Sequence, residues 1–326
     1  MRTPRLHVLG AAVVTMAALS ACSGETDARR PLPTATSSPV PSASPSPSPT
    51  VTPSSAAPVR VDADAAMATV THLSETIGRR HATSRAYERA ADWVEGRFAG
   101  LGYTVSRQPV DVPAGNTWGV DVPAGTVDNV VADPPGFDPT RPHAVVGAHL
   151  DTIPRAPGAE DNASGVAVLL ELARMARAEQ PGVPVRMVAF GAEEPRGPSD
   201  DDHHYGSQEY VAQLDDAQRE ALVGMVALDR VGVRGPAVPV CNGGDDDGTR
   251  DELVRAARAS DTPHTACGDN RSSDHWSFER DGLPGARLGS IPYAGYHSPG
   301  DTVEVVSQNQ LVRTGTIAWT WMQRLG

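Results

Sequence analysis

Lysine is missing altogether: all 28 basic residues of the 326-residue chain are arginine. No physical requirement forbids surface lysine everywhere, so the bias reads as compositional. Positive charge is short as well. Against 40 acidic residues the formal net charge is -12, which argues against a nucleic-acid binder, because phosphate attraction needs excess positive charge. Three cysteines exclude a disulfide scaffold and any cysteine-rich zinc module. The one long apolar run lies at the N-terminus, so a multi-span membrane protein is excluded too. What is present is 39% hydrophobic and 21% charged residues, a balance that suits a soluble globular protein with a real core.

The chain starts with an address. Arg2 and Arg5 precede an apolar stretch from Leu6 to Leu19, too short to span a membrane and fit for the core of a signal peptide. It ends in Leu19-Ser20-Ala21-Cys22, which resembles the lipobox of bacterial lipoproteins. Residues 1–21 are then a cleaved signal and Cys22 carries the lipid; the other reading is an ordinary secretory signal. Residues 31–58 hold nine Pro, eight Ser, four Thr and four Ala, with no charged residue. Such a segment buries too little apolar surface to offset its ordering entropy and is expected to stay extended. Residues 22–58 read as lipid anchor and linker, and 59–326 as one domain outside the cytoplasm.

Within that domain strand-like and helix-like segments alternate. Tyr87, Ala90, Ala91, Val94, Phe98 and Leu101 recur at helical spacing between a candidate N-cap, Ser84, and a stop at Gly102. Tyr103–Val110, Asn129–Ala132, Ala144–Gly147, Val185–Phe190 and Met225–Leu228 read as strands. Ala163–Ala178, Gln208–Leu214, Asp251–Ala259 and Gln308–Gln323 read as helices. The alternation predicts an α/β fold, a mostly parallel sheet sandwiched by helices.

The ends of those strands are dense in His, Asp and Glu, where open α/β sheets build their sites. Gly147-Ala148-His149-Leu150-Asp151 follows one strand and Glu160-Asp161-Asn162-Ala163-Ser164-Gly165 opens a helix. Ala192-Glu193-Glu194 and Leu228-Asp229 end two more strands, and Tyr296-His297-Ser298 stands near the C-terminus. Each has a bland explanation alone: a structural His, a solvated Glu pair, an N-capping Asp. Together they match the oxygen and nitrogen ligands of hydrolytic zinc. Competing hydrolase signatures are absent: there is no Gly-x-Ser-x-Gly, His-Glu-x-x-His or Cys-x-x-Cys.

In this order the motifs resemble the co-catalytic dizinc aminopeptidase family, which also includes glutamate carboxypeptidase II type enzymes and glutaminyl cyclases. Ser273-Asp274-His275 ahead of Gly282-Leu283-Pro284 is similar to a further family segment. The resemblance implies a zinc-peptidase fold and two zinc ions. Asp161 would bridge them, with His149 and Asp229 completing one site and Glu194 and His297 the other. Asp151 would accept from the His149 ring, Glu193 would be general base and Tyr296 would donate to the oxyanion. The implied activity is a monomeric aminopeptidase acting on extracytoplasmic peptides. A cyclase-like or carboxypeptidase-like enzyme, or a non-catalytic peptide-binding lipoprotein, are the alternatives.

Departures accompany the likeness. Pro195–Tyr205, with Asp200-Asp201-Asp202-His203-His204, intervenes before Gly206-Ser207; it is a solvated acidic loop, a flap over the cleft or an extra metal contact. Arg271 stands one residue further from Ser-Asp-His than in relatives, which puts a substrate role for it in doubt. Asp245-Asp246-Asp247-Gly248 fails the calcium-loop spacing, since Val254 would occupy position 12. Cys241 and Cys267 form one disulfide in an oxidising compartment, or remain two buried thiols.

Overall fold

The computed structural model describes residues 58–326. The signal peptide, Cys22 and the linker through residue 57 lie outside the described residues. The chain enters through α1 (Ala63–Thr71) and α2 (Arg85–Gly100), the latter capped by the Ser84 hydroxyl accepting from Tyr87 N–H. Gly102, at φ 83, turns it into β1 (Thr104–Val112). A small hairpin of β2 (Gly115–Thr117) and β3 (Val120–Val122) precedes β4 (Gly125–Asp133) and β5 (His143–His149). Then come α3 (Gly165–Ala178), β6 (Val185–Phe190), α4 (Tyr205–Ala212), α5 (Asp216–Ala221) and β7 (Leu222–Leu228). β8 (Val238–Cys241), α6 (Gly248–Ala259), β9 (His264–Cys267), α7 (His275–Glu279), β10 (Gly285–Leu288) and α8 (Gln308–Arg324) complete the fold.

Eight strands form one mixed sheet in the order β1-β4-β6-β5-β7-β10-β8-β9. Its centre, β6-β5-β7-β10, is parallel throughout, while β1, β4 and β8 pair antiparallel to their inner neighbours. The central strands are apolar on both faces because helices cover both. Ala144, Val146, Met187 and Ala189 face a core shared with α1, α2, α3, α6 and α8. Val145, Val188 and Phe190 alternate to the other face, against Tyr210 of α4 and Phe278 of α7. The α/β architecture expected from the alternation is the one found.

A parallel block has all its strand ends on one edge. The loops after β5, β6, β7 and β10 therefore open into the same space, and the loop from β5 to α3 crosses it. Gly165 lets α3 start hard against β7: a Cβ there would meet the Leu228 carbonyl oxygen at 2.3 Å. Asn162 ties the same junction, donating to Leu228 O at 2.8 Å and accepting from the N–H of Gly165 and Arg230.

Candidate metal centre

The carboxyl edge of the parallel block gathers His149, Asp161, Glu193, Glu194, Asp229 and His297 into one cleft. Asp161 stands at its centre and faces both ways. Its Oδ1 is 3.1 Å from His149 Nε2, which lies 3.6 Å from Asp229 Oδ1. Its Oδ2 is 3.1 Å from His297 Nε2, which lies 3.4 Å from Glu194 Oε2. Two groups of potential ligand atoms result, each with members within 4.8 Å of one another: His149, Glu193 and Asp229, and Asp161, Glu194 and His297. Glu193 thus falls inside the first group as well, its Oε2 4.0 Å from His149 Nε2.

Backbone and buried side chains hold these residues. Asp301 accepts from the N–H groups of Glu160 and Asp161, at 2.8 and 3.1 Å. The buried Glu160 carboxylate accepts from Gly232 and Val233, fixing the loop after Asp229. Arg80, fully buried, donates to the carbonyls of Leu150, Pro157 and Gly158, so a cation pins the loop between His149 and Asp161. Arg287 pairs with Asp229 Oδ2 at 2.8 Å.

Asp151 is arranged differently from the expectation. Its Oδ1 is 3.6 Å from His149 Nδ1, longer than a hydrogen bond. The carboxylate instead accepts from Glu193 N–H at 3.0 Å and Glu194 N–H at 3.2 Å, so it locks the turn that presents both glutamates.

The electrostatics call for a cation. Burial first, and the neighbouring carboxylates next, push Glu193 and Glu194 up to about 8. Burial alone would lower His149 and His297, but the carboxylates around them outweigh it, holding His149 well above its usual range and His297 at about 10. For Asp229 burial is likewise outweighed, here by Arg287, and the group stays well below the carboxylate range. His149 Nε2, Glu194 Oε1 and Asp229 Oδ1 are buried without a hydrogen-bond partner among the described residues. Buried polar atoms normally have one. A nitrogen-and-carboxylate set with unpartnered buried atoms fits zinc, which takes such ligands.

Two further contributors stand in the cleft, one from the insert that the sequence left open between surface loop, flap and metal contact, the other from a hairpin it did not flag. The insert after Glu194 returns to Glu193: His204 N–H donates to Glu193 O at 2.9 Å, and the buried His204 Nε2 lies 3.3 Å from Glu193 Oε1. Burial drives the His204 ring down to about 4. A His in an acidic insert was the available signal, although nothing local said which way it faced. The second is Trp118, at the tip of the β2–β3 hairpin, with its ring 4.5 Å from that of His297. The hairpin docks on the insert through Asn116 N–H to Arg196 O and the Thr117 hydroxyl to Pro195 O.

The remaining expectations sort cleanly. Tyr296 lines the cleft, its ring stacked 3.7 Å from that of His297. Asp200–Asp202 form a capped turn at the surface, with Asp201 paired to Arg280, while Pro195, His203 and His204 line the cleft. Arg271 lies over Trp276 and donates to Gly243 O, and is not among the cleft-lining residues. In the 245–248 segment Asp246 accepts from Gly248 N–H and Asp247 pairs with Arg250. Cys241 and Cys267 are joined by a disulfide across β8 and β9.

Comparison with known proteins gives the family and the fold. The sequence profile of Peptidase family M28 matches residues 129–322. The protein YfbL of Escherichia coli is 34% identical over 174 residues, covering 50% of this chain and 48% of its own. Leupeptin-inactivating enzyme 1 of Streptomyces exfoliatus is 31% identical over 234 residues, covering 68% of this chain and 48% of its own. The chain therefore spans about half the length of these curated relatives. A zinc aminopeptidase from Bacillus subtilis has the same fold, with a TM-score of 0.70 at 18% identity over 81% of this chain and 95% of that one.

Proposed function

The chain belongs to Peptidase family M28, and on that premise we propose that it is a dizinc exopeptidase, most simply an aminopeptidase. One observation carries the proposal: Asp161 offers one oxygen to the His149–Asp229 side and the other to the Glu194–His297 side. Two three-ligand sets that share one carboxylate could hold a pair of metal ions.

His149, Asp161 and Asp229 would hold one zinc, and Asp161, Glu194 and His297 the other. Bound there, zinc supplies an acidified water and polarisation of the scissile carbonyl. The protein's own residues do the rest. Glu193, kept basic by desolvation and aimed into the cleft, takes the proton from the attacking water and returns it to the departing amine. Asp151 fixes the backbone beneath Glu193 and Glu194, and His204 stands against the outer Glu193 oxygen. Tyr296 donates to the oxygen on which negative charge develops. The cleft, open to solvent, has a volume of about 190 Å³, room for a residue or two beside the ligand sets.

The setting follows from the first residues: with Cys22 lipidated, the domain works outside the cytoplasm on a linker. Among the described residues no helix is long and apolar enough to cross a membrane. The reading is tested with a panel of aminoacyl anilides and N-blocked peptides. Release of free N-terminal residues, abolished by a chelator and restored by zinc, supports it; hydrolysis of N-blocked peptides alone, or indifference to chelator, overturns it.

A further inference from the structure

We infer that Arg230 binds a substrate carboxylate, so that the cleft prefers peptides bearing a carboxylate within a residue or two of the scissile bond. The inference rests on the exopeptidase reading and narrows it. The cleft floor is acidic, from Asp161, Glu193, Glu194 and Asp229, and Trp118 and Tyr296 wall it. Arg230 is the one Arg among the residues that line it.

The other buried guanidinium groups nearby are committed to the fold. Arg80 is spent on main-chain carbonyls, and Arg287 donates to Ser272 and pairs with Asp229. The Arg230 side chain donates no hydrogen bond among the described residues. Its closest acidic atom is Asp229 Oδ1, 3.7 Å from Nε, and that carboxylate is already paired with Arg287. The Arg230 side chain is 13% exposed, and beyond that long pairing with Asp229 its guanidinium donors keep no hydrogen bond among the described residues and stay open to the cleft.

The fold places Arg230 there deliberately. Its backbone sits at φ 53, a conformation disfavoured outside glycine, and is held by Asn162 Oδ1 accepting from its N–H at 3.2 Å. Such outliers cluster at ligand clamps. The guanidinium lies over the Tyr296 ring, 4.3 Å from its centroid, which leaves its edge to receive a ligand. A planar fork of N–H donors matches a carboxylate in two-point contact. With the four acidic residues of the floor given over to metal and proton transfer, Arg230 is the cleft-lining guanidinium left to meet a substrate carboxylate. In so small a cleft the carboxylate comes from a neighbouring acidic side chain or from the C-terminus of a dipeptide.

Two matched pairs separate these sources: Leu-Leu against Leu-Leu-amide, and glutamyl against glutaminyl anilide. Each is followed by hydrolysis with the full-length parent, and by calorimetric binding to Glu193→Gln protein. The parent is expected to favour the carboxylate member of at least one pair by about tenfold to a hundredfold, the range of a charge-assisted hydrogen bond. Arg230→Gln should cut that preference at least tenfold, with Arg230→Lys keeping part of it. If neither pair shows a preference, or Arg230→Gln weakens both members equally, Arg230 only balances charge and the inference is wrong. If the parent hydrolyses none of the four, the exopeptidase reading fails on its own, and the calorimetric pairs still decide Arg230.

Discussion

Glu193 and Glu194 are neighbours of the same chemistry, and the proposed function gives them different work. Glu194 Oε2 stands 3.4 Å from His297 Nε2, inside the second ligand set. Glu193 Oε2 borders the first group, 4.0 Å from His149 Nε2, while its Oε1 turns to His204 at 3.3 Å. Glu193→Gln keeps the shape and the main-chain bonds to Asp151, so both metals should remain. What is lost is the base, worth about 10²–10⁴-fold in turnover, or about 3–5 kcal/mol at 1.36 kcal/mol per decade. KM should move little, because the lost interaction acts mainly in the transition state. Glu194→Gln instead removes a charged ligand, so zinc should fall towards one per chain and activity with it, with partial recovery in excess zinc. The assay is zinc stoichiometry beside kcat and KM for the two variants. If Glu193→Gln sheds zinc and Glu194→Gln keeps it, the roles are reversed; if both keep zinc and full turnover, the cleft is not the active site.

His204→Leu removes the imidazole against Glu193 while filling its volume, and should lower kcat about tenfold with KM within about twofold; His204→Gln should recover part of it, and neither variant should slow a Glu193→Gln background further. Replacing Cys241 and Cys267 by Ser opens a loop with a sequence separation of 26, for which chain entropy gives about 3–4 kcal/mol; the melting temperature should drop by several degrees with zinc content unchanged, and an unchanged melting temperature counts against the bridge. Cys22→Ala should free the protein from membranes or block its processing, since a diacylated Cys supplies the two chains that stable anchoring takes; unaltered membrane fractionation of the variant contradicts the lipobox reading.

How much of this was legible in the sequence depends on the range of the interaction responsible. The β5 run His143–His149 is buried end to end, so its apolar stretch announced a central strand, and Ser84 announced α2 by a bond only three residues long. Of the residues that the structure gathers into the cleft, His149, Glu193, Glu194 and Asp229 were visible because they stand at or just after the ends of such strands, and Asp161 because it precedes a helix start. The short strands β8, β9 and β10, with four residues each, carry too little periodicity to be read locally. Tertiary contacts decide the rest. Asp151 serves backbone groups some forty residues away rather than the ring two residues away. The inward face of His204, the stacking of the Arg230 guanidinium on Tyr296 and the docking of the Trp118 hairpin on the insert exist only once distant segments meet.

The central claim is that one carboxylate, Asp161, serves two metal ions. Its most direct test is elemental analysis of the full-length protein, purified without chelator, beside Asp161→Asn. The account predicts about two zinc ions per parent chain, as a shared bridging carboxylate with two further ligands on each side allows. It predicts that Asp161→Asn loses metal from both sites together, with titrated zinc binding weakened at each. A reproducible parent value of one zinc or none, or an Asp161→Asn protein that retains two, would contradict it.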